Sequence, residues 1–257
     1  KSTPCSRSAD MARDLSWLTS TPVAHRGLHG LEDGVVENLP KAFQAAIDSQ
    51  YAIECDLQLS ADGEAMVFHD ATLDRLTEET GAVFKRTSAE LKTVAFKASS
   101  DRMQTLGEFL DQVSGKVVPV IELKIKTGHE GPLEKRTAEV LASYRDRAAV
   151  MSFNPRSMGW FAANAPDITR GQLSYGYSNG PALQMPAAQR FALRHMLYNV
   201  QSRPHFIGFD INALPQWSVA LRRRLGLPVL TWTVRSDAHR DTAALHADQI
   251  IFETFRP

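Results

Sequence analysis

Eight short apolar runs, at 22–25, 52–57, 117–124, 149–153, 169–174, 206–211, 228–234 and 249–254, alternate along the chain with longer, helix-like segments. The intervening segments are 37–49, 105–113, 130–144, 155–164, 181–200, 216–225 and 237–246. Phe43, Ala46 and Ile47 set a helical spacing in the first of them, and Pro155 and Asp237 stand where helices start. Strands that alternate with helices build a parallel sheet, and eight such units predict an α/β fold, a (β/α)8 TIM barrel. Two distortions are expected. A segment at about 59–104, containing a hairpin and serving as a lid or an edge plug, is inserted between the second strand and its helix. In addition, the chain stops just after the eighth strand, without a final helix. Residues 1–20 read as a tail with a short helix at 10–18 covering the barrel's end, and 21–257 as a single barrel domain. At 257 residues and 43% hydrophobic content, the chain can bury one core of that size.

Lys plus Arg and Asp plus Glu both number 29, so charge balance points to neither nucleic acid nor an acidic membrane as partner. No apolar run approaches the roughly 20 residues of a membrane span, and none demands a lipid approach. Residues 1–10 lack the apolar core of a secretory signal. The two cysteines, Cys5 in a polar tail and Cys55 on a strand, rule against a disulfide framework, so a cytoplasmic, reducing location is expected.

Within 52–70 the chemistry becomes dense. Ile53, Cys55, Leu57 and Leu59 alternate with Glu54, Asp56, Gln58 and Ser60, the period of an extended chain. Asp62-Gly63 is a hairpin turn signal, because Gly supplies positive φ freely. The turn lies midway between Asp56 and His69, so a simple hairpin sets these two level. Glu54 and Asp56 share a face, and a bound cation is a good reason for two carboxylates to do so. Barrel chemistry sits at the C-terminal ends of strands. His25 ends the first strand there, Glu54 and Asp56 lie late in the second, Glu122 and Lys124 late in the third, Trp232 late in the seventh, and Glu253 closes the eighth. All reach one rim.

The ordered set His25-Arg26-Gly27, Glu37-Asn38 opening a helix, Glu54-x-Asp56, Asp62-Gly63, His69-Asp70 and Ile121-Glu122-Leu123-Lys124 resembles the glycerophosphodiester phosphodiesterase family. That family belongs to a larger group of barrel phosphodiesterases that includes phosphatidylinositol-specific phospholipases C. The likeness extends through Leu73-Asp74-Arg75, Thr105-Leu106 and Trp232-Thr233-Val234. It implies His25 and His69 as general base and general acid, in either order, and Glu54, Asp56 and Glu122 as ligands of one divalent cation. It also implies Arg26 and Lys124 as phosphate-binding cations and Asn38 as a supporting hydrogen-bonding group. Trp232 is either a wall against the glycerol or core. Two departures stand out: Val36-Glu37-Asn38-Leu39 replaces Pro-Glu-Asn-Thr, and Ile250-Ile251-Phe252-Glu253 replaces Ile-Ile-Thr-Asp.

The implied chemistry is metal-dependent hydrolysis of a small glycerophosphodiester to glycerol 3-phosphate and an alcohol. An all-oxygen ligand set suits Mg²⁺, Ca²⁺ or Mn²⁺, and histidines titrate near neutrality. Attack by the substrate's own 2-hydroxyl gives a cyclic phosphate, with direct attack by water as the alternative. Rival functions are a lysophospholipid or sphingomyelin phosphodiesterase of the same superfamily and a non-catalytic phosphoglycerol-binding module. Glu253 reads as a solvated or capping charge. His29, His129, His195, His205, His239 and His246 read as surface or loop groups without comparable partners, and Arg222-Arg223-Arg224 as a solvated helix face.

Overall fold

A computed structural model describes residues 13–257. The expected tail, Cys5 and the start of the helix expected at 10–18 lie outside these residues. Nine strands are present among those described: β1 (Val23–Ala24), β2 (Ala52–Leu59), β3 (Ala65–Val67), β4 (Pro119–Leu123), β5 (Ala149–Ser152), β6 (Thr169–Ser174), β7 (Phe206–Asp210), β8 (Val229–Val234) and β9 (Gln249–Phe252). All but β3 are parallel, in the order β1-β9-β8-β7-β6-β5-β4-β2, and pairing of β1 with β2 closes the ring. It is the closed eight-stranded parallel barrel that the alternating runs predict. β2 outruns β1, which pairs only with Ala52 and Ile53, and on that edge its residues 57–59 pair antiparallel with β3.

Alternation along the strands sorts side chains into two layers. Ile53, Cys55, Leu57, Ile121, Leu123 and Val150 face outward and pack against the helices. Helix Pro40–Asp48 buries Ala42, Phe43, Ala46 and Ile47, and helix Leu106–Val113 buries Leu106, Phe109, Leu110 and Val113. The two helices meet where Phe43 and Phe109 bring their ring centroids to 4.5 Å. The Thr105–Glu108 capping box starts the second of these helices. On the other face, Ala52, Val120, Ala149, Met151, Leu173, Phe206, Leu230 and Ile251 fill the barrel interior, and Leu15 and Leu18 close its lower end from the short helix Ser16–Thr19. Phe206 fits because Gly171 faces it: a Cβ at 171 would lie 2.3 Å from its ring. Burying a Phe of this kind contributes about 1.5–3 kcal/mol.

The inserted segment has a core of its own, in which Met66, Phe68, Leu73, Val83, Leu91, Val94, Phe96 and Met103 pack with Leu39. Three local expectations change. The first helix opens at Pro40, not at Glu37-Asn38, because Asn38 is left-handed at φ 57 and Pro40 fits the first helical turn. Phe68, not His69, lies opposite Asp56, its amide donating to the Asp56 carbonyl at 2.9 Å. The segment expected as one helix at 181–200 divides into a 3-10 turn (Gly180–Gln184) and helices Ala187–Arg194 and Asn199–Ser202, interrupted by Pro186 and by left-handed Met196.

Candidate active site

The inward positions of the barrel are apolar at the bottom and charged at the top. On β2 the inward series runs Ala52, Glu54, Asp56; on β4 it runs Val120, Glu122. Register places Asp56 beside Glu122, so ligand oxygens of Glu54, Asp56 and Glu122 all lie within 4.8 Å of one another, and all three residues are buried. Lys124, just past β4, brings Nζ to 3.0 Å from Asp56 Oδ1 and 2.7 Å from Glu122 Oε1. Arg26 Nε lies 3.3 Å from Asp56 Oδ2. Its backbone amide donates to Glu54 Oε2 at 2.9 Å, an orientation that rests on Arg26's own left-handed φ of 56. Gly27 follows at φ 80 against Ala42, where a Cβ would clash at 2.8 Å, so the loop after β1 is pressed onto the first helix. Asn38 clamps Asp56 twice: its Nδ2 donates to Oδ2 at 2.8 Å, and its Oδ1 accepts from the Asp56 amide at 3.1 Å.

Electrostatics follow from burial and from the unequal placing of the cations. Burial, with repulsion from Asp56 and Glu122, pushes the Glu54 carboxyl well up. Burial likewise raises Glu122 to about 7, against the opposing pull of Lys124. For Asp56, burial is outweighed by Lys124 and Arg26, which hold it below the carboxylate range. Three buried carboxylates with two cations on one side leave negative charge uncompensated. Glu54 Oε1 has no hydrogen-bond partner among the described residues, and Asp56 Oδ1 has none of hydrogen-bond alignment. Orphaned oxygens of this kind, all hard donors, fit a divalent cation of the Mg²⁺, Ca²⁺ or Mn²⁺ type.

Each histidine is held through Nδ1 by a carboxylate. His25 Nδ1 lies 2.9 Å from Glu253 Oε2, and His69 Nδ1 lies 2.7 Å from Asp70 Oδ1. His25 Nε2 consequently faces the acidic cluster, 3.9 Å from Glu54 Oε2. Burial lowers the pKa of both imidazoles. An ion network runs from Asp56 through Arg26 to Glu37, where Arg75 binds in a fork at 2.7 and 3.0 Å, and on to Asp70 at 2.6 Å. His25, Arg26, Glu54, His69, Glu122, Lys124 and Trp232 line a common pocket of about 310 Å³. Asp56 and Asn38 lie buried beneath them.

Several residues escape a reading by residue type. Glu253 is not a solvated charge: it bonds His25 and accepts from Arg235 Nη2 at 2.9 Å, and its pKa is lowered to about 2 because these partners outweigh burial. Glu37, Asp70 and Arg75 stand inside the quoted motifs, yet only their meeting across 38 positions reveals a network. Three of the histidines expected as surface or loop groups without partners have them. His29 groups with His25 and Glu253, buried His195 stacks on Trp217 at 5.1 Å, and His205 Nδ1 accepts from the Arg170 amide. Arg222 and Arg223 bond carbonyls of Ser218, Met196 and Leu245 and the Asp248 carboxylate, so these two tie elements together, while Arg224 is exposed as a solvated face expects. Leu183, Phe191, Leu197 and Val200, between β6 and β7, are exposed one by one.

A parallel barrel with this charged pocket at its C-terminal rim is the architecture of an enzyme acting on an anionic ester. A model of the glycerophosphoryl diester phosphodiesterase family matches residues 25–254, and the chain belongs to that family, a class of phosphoric diester hydrolases. The glycerophosphodiester phosphodiesterase of Caldanaerobacter subterraneus subsp. tengcongensis is 28% identical over 224 residues, 82% of this chain and 84% of that protein. That of Bacillus subtilis is 28% identical over 239 residues, covering 84% and 77%. In fold, the chain matches an Oleispira antarctica phosphodiesterase solved with its product sn-glycerol-3-phosphate, at TM-score 0.74 and 23% identity over 92% of this chain and 94% of that one.

Proposed function

We propose that the protein hydrolyses glycerophosphodiesters to glycerol 3-phosphate and an alcohol, with His25 and His69 as the acid–base pair. The observation that carries this is the pairing of each imidazole, through Nδ1, with a carboxylate on the rim of a pocket lined by Arg26 and Lys124. A carboxylate on Nδ1 keeps that nitrogen protonated and leaves Nε2 to exchange a proton with substrate. Glu54, Asp56 and Glu122 would hold a divalent cation, which when bound supplies charge neutralisation and Lewis acidity toward a phosphate oxygen. Arg26 and Lys124 contribute fixed positive charge where negative charge gathers at phosphorus, and Asn38 keeps Asp56 in place.

In the first step the glycerol 2-hydroxyl oxygen attacks phosphorus while one imidazole takes its proton. The bond from phosphorus to the alcohol oxygen breaks as the other imidazole delivers a proton to that oxygen. Water then opens the cyclic phosphate with the roles reversed. Intramolecular attack benefits from effective molarity and restricts substrates to esters with a free neighbouring hydroxyl. We take residues 21–257 as one catalytic domain and the cytoplasm as its compartment, the latter from the sparse cysteines and the buried, unpaired Cys55. No helix among the described residues is long and apolar enough to cross a membrane.

The test is release of glycerol 3-phosphate from glycerophosphocholine and glycerophosphoethanolamine, with EDTA and then with Mg²⁺, Ca²⁺ or Mn²⁺ restored. Loss with EDTA and recovery with one ion is expected. Undiminished release in EDTA would remove the cation from the scheme, and no release with any ion would remove the reaction.

A further inference from the structure

Around His25 the chain gathers more than proton transfer needs. The loop after β1 carries a second imidazole four positions on, at His29. Gly30, left-handed at φ 75, rests against the Thr254 methyl, where a Cβ would lie 3.8 Å away. That contact sets the loop beside the end of β9 and brings His29 to Glu253. His25, His29 and Glu253 each offer one ligand atom within 4.8 Å of the others. His25 Nδ1 and Glu253 Oε2 are already 2.9 Å apart. His29 Nε2 is buried and has no hydrogen-bond partner among the described residues. A buried ring nitrogen left in that state is a cost that a bound ligand removes.

Donor type decides what the cluster takes. Two imidazoles and a carboxylate suit Zn²⁺ and its transition-metal neighbours, whereas Mg²⁺ and Ca²⁺ take oxygen. The acidic triad has the opposite preference, so the two clusters sort cations by hardness. Ligand atoms ~2.0–2.1 Å from a tetrahedral Zn²⁺ stand about 3.3 Å from one another. His25 and Glu253 must therefore part slightly while His29 closes in. Arg235 opposes the ion, because its Nη2 donates to Glu253 Oε2 at 2.9 Å. Its side chain is half exposed and can turn to water, leaving Glu253 to the metal.

We propose that His25, His29 and Glu253 form an inhibitory site for Zn²⁺, separate from the acidic triad. The site stands on the cluster itself, and its effect on rate rests on the phosphodiesterase reading above. Zn²⁺ at Nδ1 takes the lone pair there, so the ring's one proton sits on Nε2. His25 then cannot accept a proton from substrate or water. Because the two histidines exchange roles between the two steps, one step stops whichever histidine begins.

Titration calorimetry with Zn²⁺, on protein whose acidic triad is filled by the restored ion, tests the site without turnover. One Zn²⁺ per chain is expected, bound at least about tenfold more weakly by His29→Ala, since even an indirect partner of a metal ligand is worth ~10–100-fold. Arg235→Gln should bind Zn²⁺ more tightly than the unaltered protein, because the competitor for Glu253 has gone. In the same Zn²⁺ series, glycerol 3-phosphate release should lose at least about tenfold in kcat, and more of the restored ion should not relieve the loss. His29→Ala should need at least about tenfold more Zn²⁺ for half inhibition of its own rate. No binding by the unaltered protein, or equal affinity in His29→Ala, overturns the site. Binding that weakens in His29→Ala without any loss of rate upholds the site and overturns its inhibitory role. No release even before Zn²⁺ is added overturns the phosphodiesterase reading, and the calorimetry still decides the site.

Discussion

At the scale of single residues, the site consists of charges whose neighbours fix what each can do. Glu253 replaces an aspartate that the family pattern would place at the end of the last strand, and its longer side chain still reaches His25 Nδ1 while Arg235 holds its position. If His25 moves protons, Glu253 is a positioning residue, and its removal costs at most what the histidine itself contributes, ~10²–10⁴-fold. Glu253→Gln should therefore lower kcat by at least about tenfold within that bound and leave KM unchanged, with Glu253→Asp recovering part of the loss. A variant in which KM rises while kcat holds would make Glu253 a binding group instead. Asn38 offers a second case. Asn38→Ala strips two hydrogen bonds from buried Asp56 and puts alanine at a left-handed φ. A loss of about 2–4 kcal/mol in unfolding free energy is expected, from the orphaned polar groups and the strained backbone, and denaturant titration would measure it.

The elements show why some features were legible and others were not. Strands and their inward faces follow from local periodicity, so all eight barrel runs and the inward direction of Glu54, Asp56 and Glu122 could be read from spacing. Capping and breaking residues fix helix ends locally too, as Thr105 and Pro155 do. Partners across long separations leave no such trace: Arg75 with Glu37, Glu253 with His25 and Arg222 with Met196 depend on how loops fold over one another. The Asp62 turn combines both kinds. Gly63 adopts φ 84 as a hairpin turn asks, but Asp62 also accepts from Ser60 Oγ at 2.5 Å and, across the insertion, from the Ser88 amide and hydroxyl, each at 2.8 Å. These bonds hold its pKa down at about 2, below the ~3.9 of an unfolded chain. A depressed carboxylate adds stability that is fully present above the unfolded value and is lost as pH falls through the folded one. Asp62→Asn should accordingly lower Tm at pH 7, by less than the pKa depression alone would imply because the exposed carboxylate is screened by solvent, and the difference should vanish as pH falls from 4 toward 2. A gap that persists at pH 2 would mean the amide's shape, not the lost charge, is responsible.

For the whole molecule, the barrel's division into an apolar floor and a charged mouth has a consequence for stability. Hydrocarbon packing below, from Leu18 up to Leu173, needs no partner. Above it, three buried carboxylates repel one another, and burial already pushes Glu54 and Glu122 up. The mouth is therefore the less stable half, and a cation that binds only the folded chain should stabilise the whole. At a hundredfold excess over its dissociation constant such an ion contributes about 2.7 kcal/mol, a Tm rise on the order of 5–10 °C for a chain of this size. Calorimetry of the EDTA-treated protein against protein with Mg²⁺, Ca²⁺ or Mn²⁺ would show the rise, and the ion giving the largest shift at equal concentration is the tightest ligand of the site. The shift should disappear in Glu54→Gln and in Asp56→Asn. The apo forms of these variants should match or exceed the wild-type apo Tm where Glu54 is replaced, since one of three repelling charges has gone, and fall below it where Asp56 is replaced, since Asp56 neutralises Lys124 and Arg26. An ion-dependent rise of equal size in both variants would show that the cation binds elsewhere, and the acidic triad would then be left as a partner for the two basic side chains alone.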